Sequence, residues 1–128
     1  MVTKLKSESE VQQLIMLEAP KYGIVLMRNN SGAGKFIDEI SGNTSFVRFG
    51  LNNLSKEQNK KIKSSDLIGI QAGRFIAIEV KKEGWNFNPK DEREVAQLAF
   101  IDFIRLHHGI AGFCASVDDF LRLMGYRF

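Results

Sequence analysis

The chain has 128 residues, 44% hydrophobic and 26% charged, with a net charge of +3 and a pI near 9.1. That length suits one domain with a single core, and the charge permits an anionic partner without requiring one. No apolar run nears the roughly 20 residues of a membrane span, the N-terminus lacks a signal-peptide core, and the lone Cys114 excludes an internal disulfide; the expected setting is a reducing cytosol with no membrane partner.

Ser7-Glu8-Ser9-Glu10 opens the first helix. Ser7 stands as N-cap with Glu10 at the capping-box position, Val11, Leu14 and Ile15 form an apolar stripe, and Pro20 ends the helix. Ile24–Met27 reads as a short strand. The following stretch, Arg28 to Lys35, ends in Gly-Lys but is no Walker loop, because Asn29 and Phe36 occupy positions that need Gly and Ser or Thr. It reads as a turn-rich loop whose N–H groups, with Arg28, can meet a nucleic-acid phosphate. Thr44–Phe49 reads as a strand after the Ser-Gly-Asn turn at 41–43, in a hairpin with Phe36–Ile40. Leu51–Ser64 is polar and carries Lys56, Lys60, Lys61 and Lys63. Such a run is ordinarily a solvated face, but this one ends beside Asp66 and can track a phosphate backbone.

The next two strands are the centre of the chain. Ser65–Ile70 and Phe75–Lys81 flank Gln71-Ala72-Gly73-Arg74, the signature of a β-hairpin. With Ala72-Gly73 as the loop, Gln71 pairs with Arg74, Ile70 with Phe75, Ile68 with Ala77 and Asp66 with Glu79; a longer, bulged loop would shift that register. Side chains alternate along a strand, so Glu79 and Lys81 share a face. Opposed carboxylates are destabilising unless a cation lies between them, and Mg²⁺ takes one or two carboxylates plus phosphate oxygens. A structural Glu79–Lys81 pair is the competing explanation of the same charges.

Trp85 and Phe87 follow in a Gly/Asn-rich loop, placed either over the edge of the core or free to stack on a base. Asn88 as N-cap and Pro89 at the first position start a helix running to about His108, with Gly109 as its stop. On it Gln97, Phe100, Ile101 and Ile104 share one face, and a Gln among apolar neighbours needs polar partners. Ile110–Ala115 is a further strand, with Cys114 a buried thiol. Ser116 caps a last helix, Val117–Met124, before Gly125. His107, His108 and Cys114 have no zinc-site spacing, and no nucleophile elbow is present.

Asp66 followed by Glu79-Val80-Lys81 resembles the PD-(D/E)XK nuclease signature, with Ser65 where that signature often has Pro. The wider pattern is closer to the stand-alone VRR-NUC nucleases, often encoded by phages. Its pieces are Ser7 to Gln12, Arg28 to Ala33, Asp66 to Ile70, Glu79 to Lys81, and Gln97, which together cover nearly the whole chain.

The resemblance implies a single VRR-NUC-like domain over residues 1–128. Its fold would be α/β with a restriction-endonuclease-like core, a mixed central sheet flanked by helices. It implies Mg²⁺ or Mn²⁺ held by Asp66, Glu79 and the Val80 carbonyl, with Glu10, ahead of Glu8, serving a second or outer-shell ion. Lys81 would orient water or stabilise phosphate charge, and Gln97 would support it. Arg28, Asn30, Lys35, Arg48, Lys61, Lys63 and Lys82 are the expected DNA contacts. The expected activity is metal-dependent endonucleolytic cleavage of branched DNA such as four-way (Holliday) junctions, by a homodimer in the cytosol, that of a bacterial host if phage-encoded. Two other readings stay open: a repair or restriction-like nuclease on linear duplex DNA, and a binding module without chemistry.

Overall fold

The computed structural model describes residues 4–127. Ser7 caps the first helix, α1 (Glu8–Glu18). Its hydroxyl accepts from the Glu10 N–H at 3.2 Å and donates to the Glu10 carboxylate at 3.1 Å. Val11 and Ile15, one turn apart, are buried, and Pro20 diverts the chain into a 3-10 turn (Ala19–Tyr22) closed by Gly23 at φ 72°. The first strand, β1 (Leu26–Arg28), starts later than expected, because the Ile24 N–H turns back to the Ala19 carbonyl at 3.1 Å.

Two corrections follow. The Gly-rich stretch is strand from Gly32 onward: β2 (Gly32–Ile37) pairs antiparallel with β3 (Thr44–Phe49) in a separate two-stranded sheet. Glycine permits this close approach, since a Cβ on Gly32 would lie 2.7 Å from the Phe49 ring. The lysine run contains a helix, α2 (Lys56–Lys61), capped by the Ser55 hydroxyl, which accepts from the Gln58 N–H at 3.2 Å. It buries no residue, so no apolar period marked it.

The central hairpin forms in the expected register. β4 (Leu67–Gln71) and β5 (Arg74–Val80) pair Gln71 with Arg74, Ile70 with Phe75 and Ile68 with Ala77. Ala72 and Gly73 have φ of 50° and 76°, as the left-handed turn of a two-residue hairpin loop requires. After β5, the third helix, α3 (Glu92–Leu106), starts later than Asn88-Pro89 suggested. Asp91 is the cap, its carboxylate accepting from the N–H groups of Arg93 and Glu94, while Asn88 closes a turn onto the Lys90 N–H. β6 (Ile110–Cys114) and α4 (Val117–Leu123), capped by Ser116, complete the chain as expected.

The main sheet runs β1-β4-β5-β6, antiparallel except for the parallel β5–β6 pair. Ile76, Ile78 and Val80 of β5 pack with α1 and α4 on one face. Ala77 packs with Phe100, Ile101 and Ile104 of α3 on the other. The architecture is therefore α/β, a mixed four-stranded sheet flanked by helices. No described helix is long and apolar enough to cross a membrane.

Candidate functional site

The face of β5 under α3 changes character within two residues. Past Ala77 it carries Glu79, only 3% exposed, and then Lys81, 8% exposed. Asp66, the residue before β4, comes to the same place. Its carbonyl accepts from the Asn29 N–H at 2.8 Å, fixing the backbone, and its Oδ2 accepts from the Val80 N–H at 2.9 Å. The ladder itself ends at the pair of Leu67 with Ile78, and the Asp66 and Glu79 side chains meet just beyond it, at one cleft.

Gln97 joins the charges. Its Nε2 donates to Glu79 Oε1 at 2.9 Å, and its Oε1 accepts from Lys81 Nζ at 2.8 Å. Lysine only donates and a carboxylate only accepts, so the two neighbours dictate the amide's orientation. Glu79 and Lys81 form no direct ion pair; the contact runs through Gln97. Lys81 is also enclosed by aromatic rings, its Nζ lying 5.4 Å from the Trp85 centroid and 5.7 Å from that of Phe113. Trp85 is held by a 2.9 Å bond from its indole N–H to Glu94. Both Trp85 and Phe87 pack on Phe113, at 4.7 and 5.9 Å between centroids, so they cover the core edge.

The other Glu79 oxygen, Oε2, is buried with no hydrogen-bond partner. Burial first, and then the neighbouring Asp66 carboxylate, raise the Glu79 carboxyl to about 9, with Lys81 opposing the rise and Glu8 adding to it. Without a cation beside it, Glu79 holds its proton far above the ordinary carboxylate range. Among the described residues no group of three or more His, Cys, Asp or Glu side chains is set to hold a metal. The oxygens that could meet a cation here are those of the Asp66 and Glu79 carboxylates. A hard divalent ion completing its shell with water or substrate oxygens, as Mg²⁺ commonly does, would suit such a pair.

Asp66 and Glu79 open into a cleft of about 310 Å³. Of the expected nucleic-acid contacts, Asn30 and Lys63 line it. Arg48 lines an adjoining pocket of about 240 Å³ that shares Lys63 and Ser64 with the cleft. Arg28, Lys35, Lys61 and Lys82 are exposed and line neither. Glu10 is exposed, holds Ser7 and does not line the cleft; from the same helix, Gln12 does, and Glu8 is the acid whose charge reaches Glu79.

Arg93 was missed. It lines the cleft from the first turn of α3, one turn before Gln97, so extending the Gln97 face back four residues would have found it. Lys63, Lys56, Lys60 and Arg93 also border a third pocket between α2 and α3. Burial and then Arg93 hold the Lys63 ammonium below the ordinary lysine value, opposed by Glu79 and Asp66. No family model, curated protein or solved structure matches the chain.

Proposed function

We propose that the protein is a metal-dependent DNA endonuclease with a restriction-endonuclease-like core, acting on branched DNA such as four-way junctions. The observation that carries this reading is the convergence of Asp66 and Glu79 around a buried, unpartnered carboxylate oxygen, with Gln97 bridging to Lys81. Binding alone has no use for clustered carboxylates, which repel phosphate.

Asp66, Glu79 and the Val80 carbonyl would hold Mg²⁺ or Mn²⁺, which when bound supplies Lewis acidity at a phosphoryl oxygen and makes a bound water more acidic. The chain's own residues do the rest. Gln97 fixes Lys81, so one positive charge stays beside the carboxylates where negative charge grows on the phosphate. Lys63, Arg93 and Arg48 flank the carboxylates with cations that can hold the DNA backbone on either side. A homodimer belongs to the same reading. The exposed Phe36, Ile37, Phe46 and Phe49 of the β2–β3 hairpin offer apolar surface that a second copy can bury.

The test is incubation with linear, flap and four-way-junction DNA, with and without Mg²⁺ or Mn²⁺. Cation-dependent cutting, strongest on the junction, is expected. Cutting of linear duplex alone would move the substrate to the restriction-like reading, and binding without cutting under all conditions would sink the enzyme.

A further inference from the structure

Two buried polar side-chain atoms lack a partner among the described residues: Glu79 Oε2 and Ser65 Oγ. Both residues line the same cleft. Ser65 is 1% exposed, so bulk water does not satisfy its hydroxyl. Its neighbour shows that this segment can satisfy a hydroxyl when the fold needs one. Ser64 Oγ accepts from Asn29 Nδ2 at 2.9 Å and donates to the Leu51 carbonyl at 2.6 Å. The Ser65 carbonyl is likewise taken, by Asn29 Nδ2 at 2.8 Å, while the hydroxyl is left over.

The chemistry of the two orphans is complementary. A carboxylate oxygen only accepts, and a hydroxyl can accept while its proton rotates freely. One ligand class suits both, a cation carrying its own water, since the ion meets the carboxylate and the water donates to the hydroxyl. Mg²⁺ and Mn²⁺ are hard ions of this kind, and Mg²⁺ in particular usually keeps several waters when bound to protein. We propose that Ser65 Oγ is a binding group for the hydrated divalent cation held at Asp66 and Glu79, accepting a hydrogen bond from one of its waters. This rests on the metal-site reading above. Groups that hydrogen-bond the ligands of a metal contribute about 10–100-fold to its affinity.

The experiment compares wild type, Ser65→Ala and Ser64→Ala in two measurements: melting without metal, and Mn²⁺ titration by calorimetry. Without metal, Ser65→Ala should melt at the wild-type temperature or up to about 5 °C above it, because an unsatisfied group has been removed. Ser64→Ala should melt lower, because it loses two bonds. In the titration, Ser65→Ala should bind Mn²⁺ about tenfold more weakly. Equal Mn²⁺ affinity in wild type and Ser65→Ala overturns the role of Ser65 while leaving the metal site standing. A metal-free Ser65→Ala protein that melts as low as Ser64→Ala overturns it too, since the hydroxyl would then have a protein partner. Wild-type protein that binds no Mn²⁺ removes the metal reading and this inference together.

Discussion

The two faces of β5 were built from the same strand and do opposite things. On one, Ile76, Ile78 and Val80 are fully buried among α1 and α4, and the face is apolar to its end. On the other, Ala77 packs under α3, and then Glu79 and Lys81 are buried just as the apolar packing stops. Burying charges is unfavourable unless each is paired, and here one carboxylate oxygen is not. The first face shows that the sheet can be closed without charge. The second therefore keeps ionisable groups at the expense of stability, as the proposed metal site would require.

The largest expected effect separates these faces by activity. Asp66→Asn should abolish cleavage, a loss of about 10³-fold or more, yet leave the metal-free protein at least as stable as wild type. Asparagine can still accept from the Val80 N–H, and the Asp66 charge that opposes ionisation of Glu79 is gone. A mutant that still cuts at the wild-type rate in Mg²⁺ or Mn²⁺ would falsify the site. Ile78→Ala, on the apolar face, should do the converse: about 2–5 kcal/mol of stability lost to a core cavity, with the site residues intact. Chemical denaturation of both variants alongside cleavage assays checks the contrast.

Lys81→Ala comes next. Cleavage should fall about 10²-fold while DNA affinity changes little, because Lys81 is buried and the cleft's lining cations are Lys63 and Arg93. Equal loss of affinity and rate would make Lys81 one more phosphate contact.

The pH dependence of the same face follows in size. The Glu79 carboxyl titrates near 4.5 in the unfolded chain and is raised to about 9 in the fold, chiefly by burial and then by Asp66. Its contribution is fully present below pH 4.5 and is lost as pH rises through the folded value. Metal-free stability should therefore decline across that window, by up to about 1.4 kcal/mol per pH unit. Glu79→Gln should flatten the decline, and Mn²⁺ should do so in wild type by taking the place of the proton. A metal-free wild-type profile already as flat as that of Glu79→Gln would show that the carboxyl is not raised.

Much of the charged face was legible in the sequence because local rules fixed it. Ala72-Gly73 set the hairpin register, and register put Asp66 beside Glu79. The helical period put Gln97 with Phe100, Ile101 and Ile104, and burial then forced it onto polar partners. Arg93 shares that period, but a charged residue in a first helical turn looks like solvated surface. The tie from Asn29 to Ser64 and Ser65 had no signal, since the Asn29 side chain reaches a hydroxyl and a backbone carbonyl 35 and 36 residues away in sequence. The Gly32 strand was hidden because glycine carries no strand propensity, and α2 because it buries nothing. The α/β class followed from the order of elements, while the proposed nuclease core rests on Asp66, Glu79, Lys81 and Gln97.

The smallest effect concerns where the charged face meets its surroundings. Lys63 stands at the crossing of the carboxylate cleft, the Arg48 pocket and the α2–α3 pocket, so a phosphate bound there would sit within reach of all three. Its backbone is pinned by a 3.0 Å bond from its N–H to the Ala96 carbonyl of α3, which keeps the ammonium near Arg93. Lys35, by contrast, lies exposed on β2 and lines neither the cleft nor the Arg48 pocket. In an Asp66→Asn background, which prevents cutting, Lys63→Ala should weaken junction binding about fivefold at low salt and reduce the salt slope by about one ion. Lys35→Ala should change either by less. Fluorescence anisotropy across a salt series reads both quantities. If Lys63→Ala leaves the slope unchanged while Lys35→Ala lowers it, the DNA follows the hairpin rather than the cleft, and the basic flank of the carboxylates is only a solvated surface.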